Sequence, residues 1–324
     1  MKTLDTLLLL ALPASGKSEV RRYLASLSME ECRRSFGLGP TVQLDDFPYV
    51  HFMRRVDGVL EEAGHARLFY DSDESTFSDP RDWGTLIELI NQDHAALTAI
   101  GAASVPEAAS HLFGRIDDAA GRLGIPARIA GLEDGVRAAA ADALEGEARE
   151  LLGELEAARV VDLSDKTIVV EFARGGPQGA EMPLPAPLGY RHSLACLSDE
   201  LLESAVILYV WVTPEESRRR NDARTDPDDP GSILHHGVPI QVMLGDYGTD
   251  DMVWLEAESA RERTVTVKTR GRTFHIPVAR FDNREDKTSF LRGDPAEWDP
   301  AAVAAVHEGL RDAIERARAA AGVS

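Results

Sequence analysis

The chain has 324 residues, 44% of them hydrophobic and 28% charged, which is an ordinary composition for a globular protein with a sizeable buried core. Its formal net charge of −20 argues against a nucleic-acid partner, because phosphate backbones attract basic surfaces. No apolar run approaches the roughly 20 residues of a membrane span, and the two cysteines lack metal-ligand spacing, so we expect a cytoplasmic protein without a membrane partner.

Residues 7–18, which read LLLLALPASGKS, combine a short apolar run with a glycine, a lysine and a serine. The run predicts a buried parallel strand, and the residues after Ser18 have a helical pattern. In this order of strand, loop and helix, the N–H groups of the loop and the helix N-terminus bind polyphosphate. The residues predicted to contact the nucleotide are Pro13, Ala14, Ser15, Gly16, Lys17 and Ser18.

Three of these residues have distinct expected roles. Gly16 lets the backbone approach the phosphates, Lys17 reaches the β- and γ-phosphates, and Ser18 ligates Mg²⁺. The usual pattern G-x-x-x-x-G-K-[ST] begins with Gly where this chain has Ala11, and Ala11 fits only if its φ stays negative. The alternative is an apolar strand followed by a surface turn that happens to contain Gly-Lys-Ser.

The segment from Leu12 to Ser18 resembles the P-loop kinase superfamily, in which G-x-P-[AG]-S-G-K-S is a frequent form. The resemblance implies an α/β fold with three layers, α/β/α, around a central parallel sheet. It also implies ATP and Mg²⁺ as cofactors and a small molecule as the phosphoryl acceptor.

Two adjacent carboxylates follow the short strand predicted at residues 41–44. Asp45 and Asp46 end this strand, and ligands bind outside the carboxyl ends of the strands in open parallel sheets. The sequence Leu-Asp-Asp-Phe is similar to a segment of uridine-kinase-like and small-metabolite kinases. This similarity implies that one Asp accepts or holds the acceptor's hydroxyl proton while the other helps to bind Mg²⁺. Asp46 is the candidate for the acceptor and Asp45 for the metal, and an Asx-turn or a helix N-cap is the alternative.

The chain from residue 85 to residue 163 is rich in Ala and helix-like, and it has no strand pattern. We therefore predict a core in two parts, residues 1–84 and 164–324, separated by a helical insertion at 85–163. Nucleotide kinases keep their acceptor-binding region at such a place. Arg54 and Arg55, near the start of an earlier predicted helix, are candidates to bind an anionic acceptor, and an exposed helix face is the alternative.

The third predicted strand, residues 167–170, leads into Glu171. An acid at this place reaches Mg²⁺ through water or orients the attacking group, and a strand-end Glu without such a role is the alternative. The region is similar to the E-R-S or D-R-[YF] segment of deoxynucleoside and thymidylate kinases, although Arg174 comes three residues after the acid rather than directly after it. The similarity implies that Arg174 contacts the substrate.

A cluster of arginines follows the fourth predicted strand, residues 205–212. The sequence Thr-Pro-Glu-Glu predicts a helix start there, and four arginines then occur within seven residues of an acidic chain. The order is similar to the lid of nucleotide and deoxynucleoside kinases, here at residues 213–237, whose arginines neutralise the phosphoryl group in transfer. The alternative is a solvated helix whose arginines pair with its own acids. The catalytic candidates are Arg218, Arg220 and Arg224.

The last part of the chain adds three predicted elements. Residues 263–277 predict a small β-hairpin outside the kinase core, and residues 278–281 predict the last core strand. Asn283 follows that strand, and kinases of this type often place an Asn near the nucleotide base. A final amphipathic helix from Pro300 is expected to cover the sheet.

Together these features predict ATP- and Mg²⁺-dependent transfer of the γ-phosphoryl group to a small molecule, with a hydroxyl acceptor favoured over a phosphate. A nucleoside or nucleotide is the first candidate acceptor, by analogy with the family. The alternatives are a kinase of another metabolite, such as an antibiotic, a sugar or, as in zeta-type toxins, a cell-wall precursor, and a nucleotide-binding regulator. The sequence leaves open the acceptor, ATP against GTP, and whether the chain forms a homodimer.

Overall fold

The computed structural model describes residues 3–98, 106–160, 162–224, 237–269 and 271–321. The chain divides into two compact units. The first, called the sheet unit below, comprises Met1–Gln43 and Asp165–Ser324, and the second, called the helical unit, comprises Leu44–Ser164.

The described chain contains a six-stranded sheet in the order β2-β3-β1-β4-β6-β5. Its strands are β1 (Thr6–Leu10), β2 (Thr41–Asp45), β3 (Thr167–Phe172), β4 (Ala205–Trp211), β5 (Thr264–Lys268) and β6 (Thr273–Asp282). β1 pairs in parallel with β3 and β4, β4 pairs in parallel with β6, and β5 pairs antiparallel with β6. The sheet is therefore mostly parallel, as the α/β class predicts. The boundary between the two units falls within β2, after Gln43.

Helices account for most of the remaining described chain. They are α1 (Lys17–Ser26), α2 (Met29–Phe36), α3 (Phe47–Glu62), α4 (Asp82–Ala96), α5 (Ala108–Arg122), α6 (Asp134–Ala158), α7 (Gly189–Cys196), α8 (Asp199–Glu203), α9 (Pro214–Arg224), α10 (Ile240–Gly245), α11 (Met252–Ala257) and α12 (Pro300–Ala321). Short 3₁₀ turns at Ser289–Arg292 and Pro295–Glu297 precede α12.

Helices of the sheet unit pack on both faces of the sheet. On one face, apolar side chains of α1, α2 and α12, such as Val20, Phe36 and Leu310, form a single core with residues of the central strands. On the other face, the Tyr190 ring of α7 lies 6.0 Å from the Phe172 ring and 6.5 Å from the Tyr209 ring, measured between centroids. This arrangement is compatible with the expected α/β/α layering, and α12 covers the sheet as predicted.

β6 combines two segments that the sequence pattern predicts as separate strands. Residues 273–277 pair with β5, and residues 278–282 pair with β4. Pro277, which has no N–H to donate, lies where the pairing passes from one neighbour to the other. The predicted hairpin is observed: β5 pairs antiparallel with residues 273–277 and forms the edge strand of the sheet.

The helical unit consists of α3, α4, α5 and α6, in which α4 packs on α5, α5 on α6 and α3 on α6. The predicted start of the insertion at residue 85 falls inside α4. The compact unit itself begins at Leu44 and therefore includes α3.

An internal repeat relates the two halves of the helical unit. Residues 51–57 read HFMRRVD and residues 111–117 read HLFGRID, so α3 and α5 carry His, Arg and Asp at matching positions. Each helix is followed by a glycine with positive φ, Gly64 at 81° and Gly124 at 74°. These two glycines are as far apart in the sequence as the two repeated segments. The sequence and the backbone therefore repeat together.

The repeated aspartates anchor equivalent loops. Asp57 accepts hydrogen bonds from the backbone N–H groups of residues 68–70, at 2.6 to 3.2 Å. Asp117 accepts them from residues 128–130, at 2.7 to 3.2 Å. Both carboxylates are buried, and each satisfies three backbone donors of the loop that follows its helix.

The repeated arginines form equivalent ion pairs between the two halves. Arg55 on α3 contacts Glu147 on α6 at 2.9 Å, and Arg115 on α5 contacts Asp93 on α4 at 2.6 Å. Asp93 on α4 and Glu147 on α6 are therefore equivalent, and they align the two helices. In this alignment the buried residues Leu86 and Ile90 of α4 correspond to the buried residues Ala140 and Leu144 of α6.

We expect Asp117→Asn to destabilise the helical unit by about 2 kcal/mol, because the amide nitrogen then faces a backbone donor, such as the Ala130 N–H, that the carboxylate satisfies now. Asp118→Asn is the matched control, since its side chain is exposed, and its effect should stay within about 0.5 kcal/mol. Urea unfolding of both variants measures the difference. Equal stability of the two variants would contradict the anchoring role of Asp117.

Candidate functional site

The loop between β1 and α1 adopts a conformation with two positive φ angles. Ala14 has a φ of 53° and Gly16 a φ of 103°. Ala11, which stands where the usual motif has its first glycine, keeps a φ outside the positive range. The condition that the sequence places on Ala11 is therefore met, and the left-handed positions lie later in the loop. Backbone turns of this kind direct successive N–H groups into one concavity.

The N-terminus of α1 opens directly from this loop. Gly16 is its N-cap residue, no side chain caps it, and the Val20 N–H is the first to bond within the helix, to the Gly16 carbonyl at 2.9 Å. The N–H groups of residues 17–19 precede this first bond and therefore have no carbonyl of the helix as a partner. The Ser15 hydroxyl is also buried without a hydrogen-bond partner among the described residues. These groups fit an anion such as phosphate.

The Lys17 side chain folds back over the loop. Its Nζ lies 3.4 Å from the Ala11 carbonyl oxygen and 3.8 Å from Glu171 Oε1. Glu171, which is 7% exposed, lies beside Leu9 in the register of β3 and β1. Its Oε2 accepts a hydrogen bond from Arg21 Nη1 at 2.9 Å. Two cations and one carboxylate therefore meet at the entrance to the loop.

Residues from distant parts of the chain hold the loop in this shape. Ser217 on α9 donates its hydroxyl proton to the Pro13 carbonyl at 2.7 Å. Asn283, directly after β6, donates from Nδ2 to the Ser15 carbonyl at 2.7 Å and to Thr288 Oγ1 at 2.8 Å. Residues from α9, which follows β4, and from the segment after β6 thus support the same short loop.

The side chain of Asn283, which was predicted to contact a nucleotide base, bonds to protein groups in this structure. The side chain is 0% exposed, and its Oδ1 accepts from the Lys287 N–H at 2.7 Å while Nδ2 bonds inside the protein. Asn283 therefore supports the loop in this structure, and its contact with a base stays a prediction.

Arg220, predicted to act on the phosphoryl group, lies in the interior. It is 3% exposed, its Nε donates to Glu216 Oε1 at 2.6 Å, and its Nη2 donates to the Asn283 carbonyl. Arg220 therefore forms the expected ion pair with an acid of its own helix, Glu216, but it is buried rather than solvated. In this conformation it positions the residue that holds the loop.

The other predicted lid arginines differ from Arg220. Arg218 is partly exposed, its Nη2 lies 3.4 Å from Glu215 Oε1, and its Nη1 has no hydrogen-bond partner in the described ranges. The side chain of Arg224 and residues 225–236 of the predicted lid lie outside the described residues. Arg218 and Arg220 therefore each have one guanidinium nitrogen without a hydrogen bond in the described structure, and that of Arg220, Nη1, lies 3.6 Å from Asp286 Oδ1.

We expect the stabilising effect of Glu216 to depend on pH. Hydrogen bonds from Arg219, and then from Arg220, lower the pKa of Glu216 from 4.5 to about 2. A carboxyl with a lowered pKa in the folded state stabilises the protein above its unfolded pKa and loses this effect as pH falls towards the folded value. Glu216→Gln should therefore be less stable than the wild type at pH 7, and the gap should narrow between about pH 4.5 and pH 2. Thermal unfolding across that range measures the gap, and a constant gap would contradict the pairing.

The three arginines predicted to bind substrate contact protein groups. Arg174 is buried and donates to Ser193 Oγ and to the Ala173 carbonyl, at 3.0 and 2.7 Å. In the helical unit, Arg54 donates to the carbonyls of residues 72, 73 and 75, and Arg55 pairs with Glu147 as described above. Their contacts with an acceptor stay predictions, and Arg174 lies in the interior.

The acidic pair forms local structure at the start of the helical unit. Asp45 is the last residue of β2, and its Oδ1 accepts from the Phe47 N–H at 2.9 Å, as in an Asx-turn. Asp46 is buried at the N-cap position of α3. The alternative given by the sequence is therefore observed for Asp45, while the predicted roles of Asp45 and Asp46 towards metal and acceptor stay predictions.

Sequence reasoning did not identify Arg21, Ser217 or Thr288 as parts of this site. Arg21 follows Lys17 by four residues, and this helical spacing on one face could have indicated it. Ser217 and Thr288 carry no local signal, because their partners lie far away in the sequence.

The described ranges contain no group of three or more His, Cys, Asp or Glu that could hold a metal ion. Mg²⁺ commonly uses one or two carboxylates together with substrate phosphates. The predicted ligands Ser18, Asp45 and Glu171 therefore stay predictions. None of the described helices combines the length and the apolar character needed to cross a membrane. Neither a protein-family model nor a curated protein matches the chain.

Proposed function

We propose that the chain is an ATP- and Mg²⁺-dependent phosphotransferase with the fold of a P-loop kinase. The observation that carries the proposal is the loop after β1, where left-handed Gly16 leads into an uncapped helix and the Lys17 amine lies over the loop. The position of β1 between β3 and β4 supports the fold. A surface turn that merely contains Gly-Lys-Ser would not need the support that Ser217 and Asn283 give.

The groups at the loop fit a polyphosphate bound with its metal. The N–H groups of residues 17–19 and the buried Ser15 hydroxyl would hold phosphate oxygens, and Ser18 would ligate Mg²⁺. Lys17 would exchange its contact with the Ala11 carbonyl for one with phosphate. ATP would supply the γ-phosphoryl group, and Mg²⁺ would neutralise part of its charge.

The carboxylate of Glu171 lies beside this loop, 3.8 Å from the Lys17 amine. A bound triphosphate would compete for Lys17 and leave Glu171 with Arg21. Glu171 would then be able to hold a water of the metal shell or to orient the attacking group.

The acceptor is proposed as a small molecule with a hydroxyl, a nucleoside or nucleotide being the first candidate by family analogy. Asp45 and Asp46 would serve the acceptor and the metal, and Arg218 would contact the phosphoryl group. A cytoplasmic location, and a homodimer as one possible assembly, belong to the same proposal.

A screen for ADP release from Mg²⁺·ATP with nucleosides, nucleotides, sugars and aminoglycosides tests the proposed function. Acceptor-dependent ADP release that disappears in Lys17→Ala would support it. ATP binding without ADP release from any acceptor would favour the nucleotide-binding regulator. Absence of ATP binding by titration calorimetry would overturn the proposal.

Substitution of Asp45 and Asp46 distinguishes a kinase from a nucleotide-binding regulator independently of the acceptor screen. Asp45→Asn combined with Asp46→Asn should preserve ATP binding and abolish transfer if the chain is a kinase. A regulator should keep both binding and its output in this variant.

A further inference from the structure

The carboxylate of Glu171 receives contacts from α1 and β2 of the sheet unit. Arg21 Nη1 lies 2.9 Å from Glu171 Oε2, and Gln43 Nε2 lies 3.5 Å from the same oxygen. The other oxygen, Oε1, lies 3.8 Å from the Lys17 amine. The two oxygens therefore have different surroundings, and Oε1 is the one that faces Lys17.

The fold brings these groups together on one face of the sheet. Arg21 follows Lys17 by four residues, so both side chains extend from the same side of α1. Glu171 pairs with Leu9 in the register of β3 and β1, and Leu9 belongs to the core that α1 covers. Gln43 lies on β2, the other neighbour of β3. The carboxylate therefore lies on the α1 face of the sheet, where all three side chains reach it.

The contact with Arg21 contributes most to the orientation of the carboxylate. It is a charge-assisted hydrogen bond of normal length, and such bonds are stronger than those between neutral groups. The Lys17 distance of 3.8 Å is too long for a hydrogen bond. The Glu171 side chain is only 10% exposed, so its orientation depends on protein partners more than on water. Glu171 therefore does not need Lys17 to keep its orientation.

This difference between the contacts becomes important when a triphosphate binds. The phosphate would draw Lys17 away from Glu171, as proposed above. Arg21, one helical turn further along α1, would keep its contact with Oε2. Oε1 would then be released from Lys17 while the rest of the carboxylate stayed in place.

We propose that Arg21 is a positioning residue of the phosphotransferase, which holds Glu171 Oε2 so that Oε1 stays directed at the attacking group during transfer. Gln43 assists it through its longer contact with the same oxygen. The inference rests on the proposed function and deepens it, because it explains how the buried carboxylate stays oriented after Lys17 moves to phosphate. Arg21 acts through Glu171 and not by a contact of its own with the substrate.

Arg21→Gln tests this role through kinetics and binding together. We expect kcat for ADP release, with the acceptor found in the screen, to fall about 10- to 100-fold, as for other residues that orient a functional group. The KM for ATP and the affinity for Mg²⁺·ADP, measured by calorimetry, should change less than about twofold, because the loop keeps its own contacts. Equal losses of kcat and of Mg²⁺·ADP affinity would indicate damage to the loop and overturn the positioning role.

Two control variants show whether the effect belongs to the cation at this position. Arg22→Gln removes the next arginine of α1, which is also partly exposed but donates to the Arg292 carbonyl at 2.7 Å, and it should leave kcat unchanged. Arg21→Lys keeps a cation, and one amine can replace the single guanidinium nitrogen that contacts Glu171. It should transfer phosphate faster than Arg21→Gln. An equal loss in Arg22→Gln, or no recovery in Arg21→Lys, would contradict the role.

A double-substitution cycle decides whether Arg21 acts through Glu171. Glu171→Gln should lower kcat, and adding Arg21→Gln to it should lower kcat by less than about a further twofold, because the carboxylate to be oriented is already absent. A further loss of about tenfold would show that Arg21 contacts the substrate itself, and it would overturn the positioning role.

The wild type distinguishes failure of this inference from failure of the proposed function. If it binds no ATP, the proposed function fails and the role of Arg21 fails with it. If it transfers phosphate and Arg21→Gln transfers it at the same rate, only the positioning role fails.

Discussion

Replacing Lys17 by Met is expected to lower phosphoryl transfer about 100- to 1,000-fold and to weaken ATP binding, because the Lys17 amine lies over the loop, where it would balance the phosphate charge. The fold should survive, since Glu171 keeps Arg21 as a partner at 2.9 Å. Titration calorimetry measures ATP binding, and ADP release with the acceptor found in the screen measures transfer.

Two further variants make the Lys17 experiment specific. Lys268→Met removes an exposed lysine at the end of β5 and should change neither quantity. Combining Lys17→Met with Glu171→Gln removes the carboxylate that Lys17 contacts, and it should not restore transfer. If Lys17→Met bound ATP and transferred phosphate like the wild type, the loop would not be the site of the triphosphate.

Gly16→Ala is expected to disrupt the loop. At a φ of 103° a Cβ atom is strained, and it would lie 2.3 Å from Thr288 Oγ1 and 2.6 Å from Asn283 Nδ2. Strain and overlap together should cost about 2 to 4 kcal/mol of folding free energy. The displaced loop should also lose ATP affinity by more than about tenfold, measured by calorimetry together with urea unfolding.

Gly179→Ala separates backbone strain from the steric clash. Gly179 has a similar φ of 77°, but a Cβ atom there meets no heavy atom within 4 Å. Its variant should lose only about 1 kcal/mol of stability and no ATP affinity. A Gly16→Ala protein that resembles Gly179→Ala would show that the contacts of the loop with Thr288 and Asn283 do not determine its shape.

Local patterns in the sequence predicted the regular part of the sheet unit well. The apolar runs that form β1, β3 and β4 are buried on both sides, so they needed no partner to be recognised. The short helix α2 was not predicted from the sequence pattern. Its N-cap Ser28, whose hydroxyl accepts from the Glu31 N–H, and its C-terminal Gly37 are the signals that could have indicated it.

Features that depend on partners far away in the sequence could not be predicted in this way. The continuity of β6 through Pro277 depends on a change of neighbouring strand, which no local pattern shows. The repeat of residues 51–57 at 111–117 was visible in the sequence but needed comparison of the chain with itself. Similarly, the buried position of Arg220 follows from its contact with the Asn283 carbonyl, whereas the sequence shows only a cluster of charge.

The support of the loop by Ser217 and Asn283 also affects when the site forms during synthesis. The Pro13 carbonyl bonds to a residue 204 positions later, and the Ser15 carbonyl to one 268 positions later. A ribosome-bound chain that ends before Asn283 would carry the whole Gly-Lys-Ser motif but lack one of the two residues, Ser217 and Asn283, that hold the loop. The nucleotide affinity proposed for the loop should therefore appear only after the growing chain has completed β6 and Asn283.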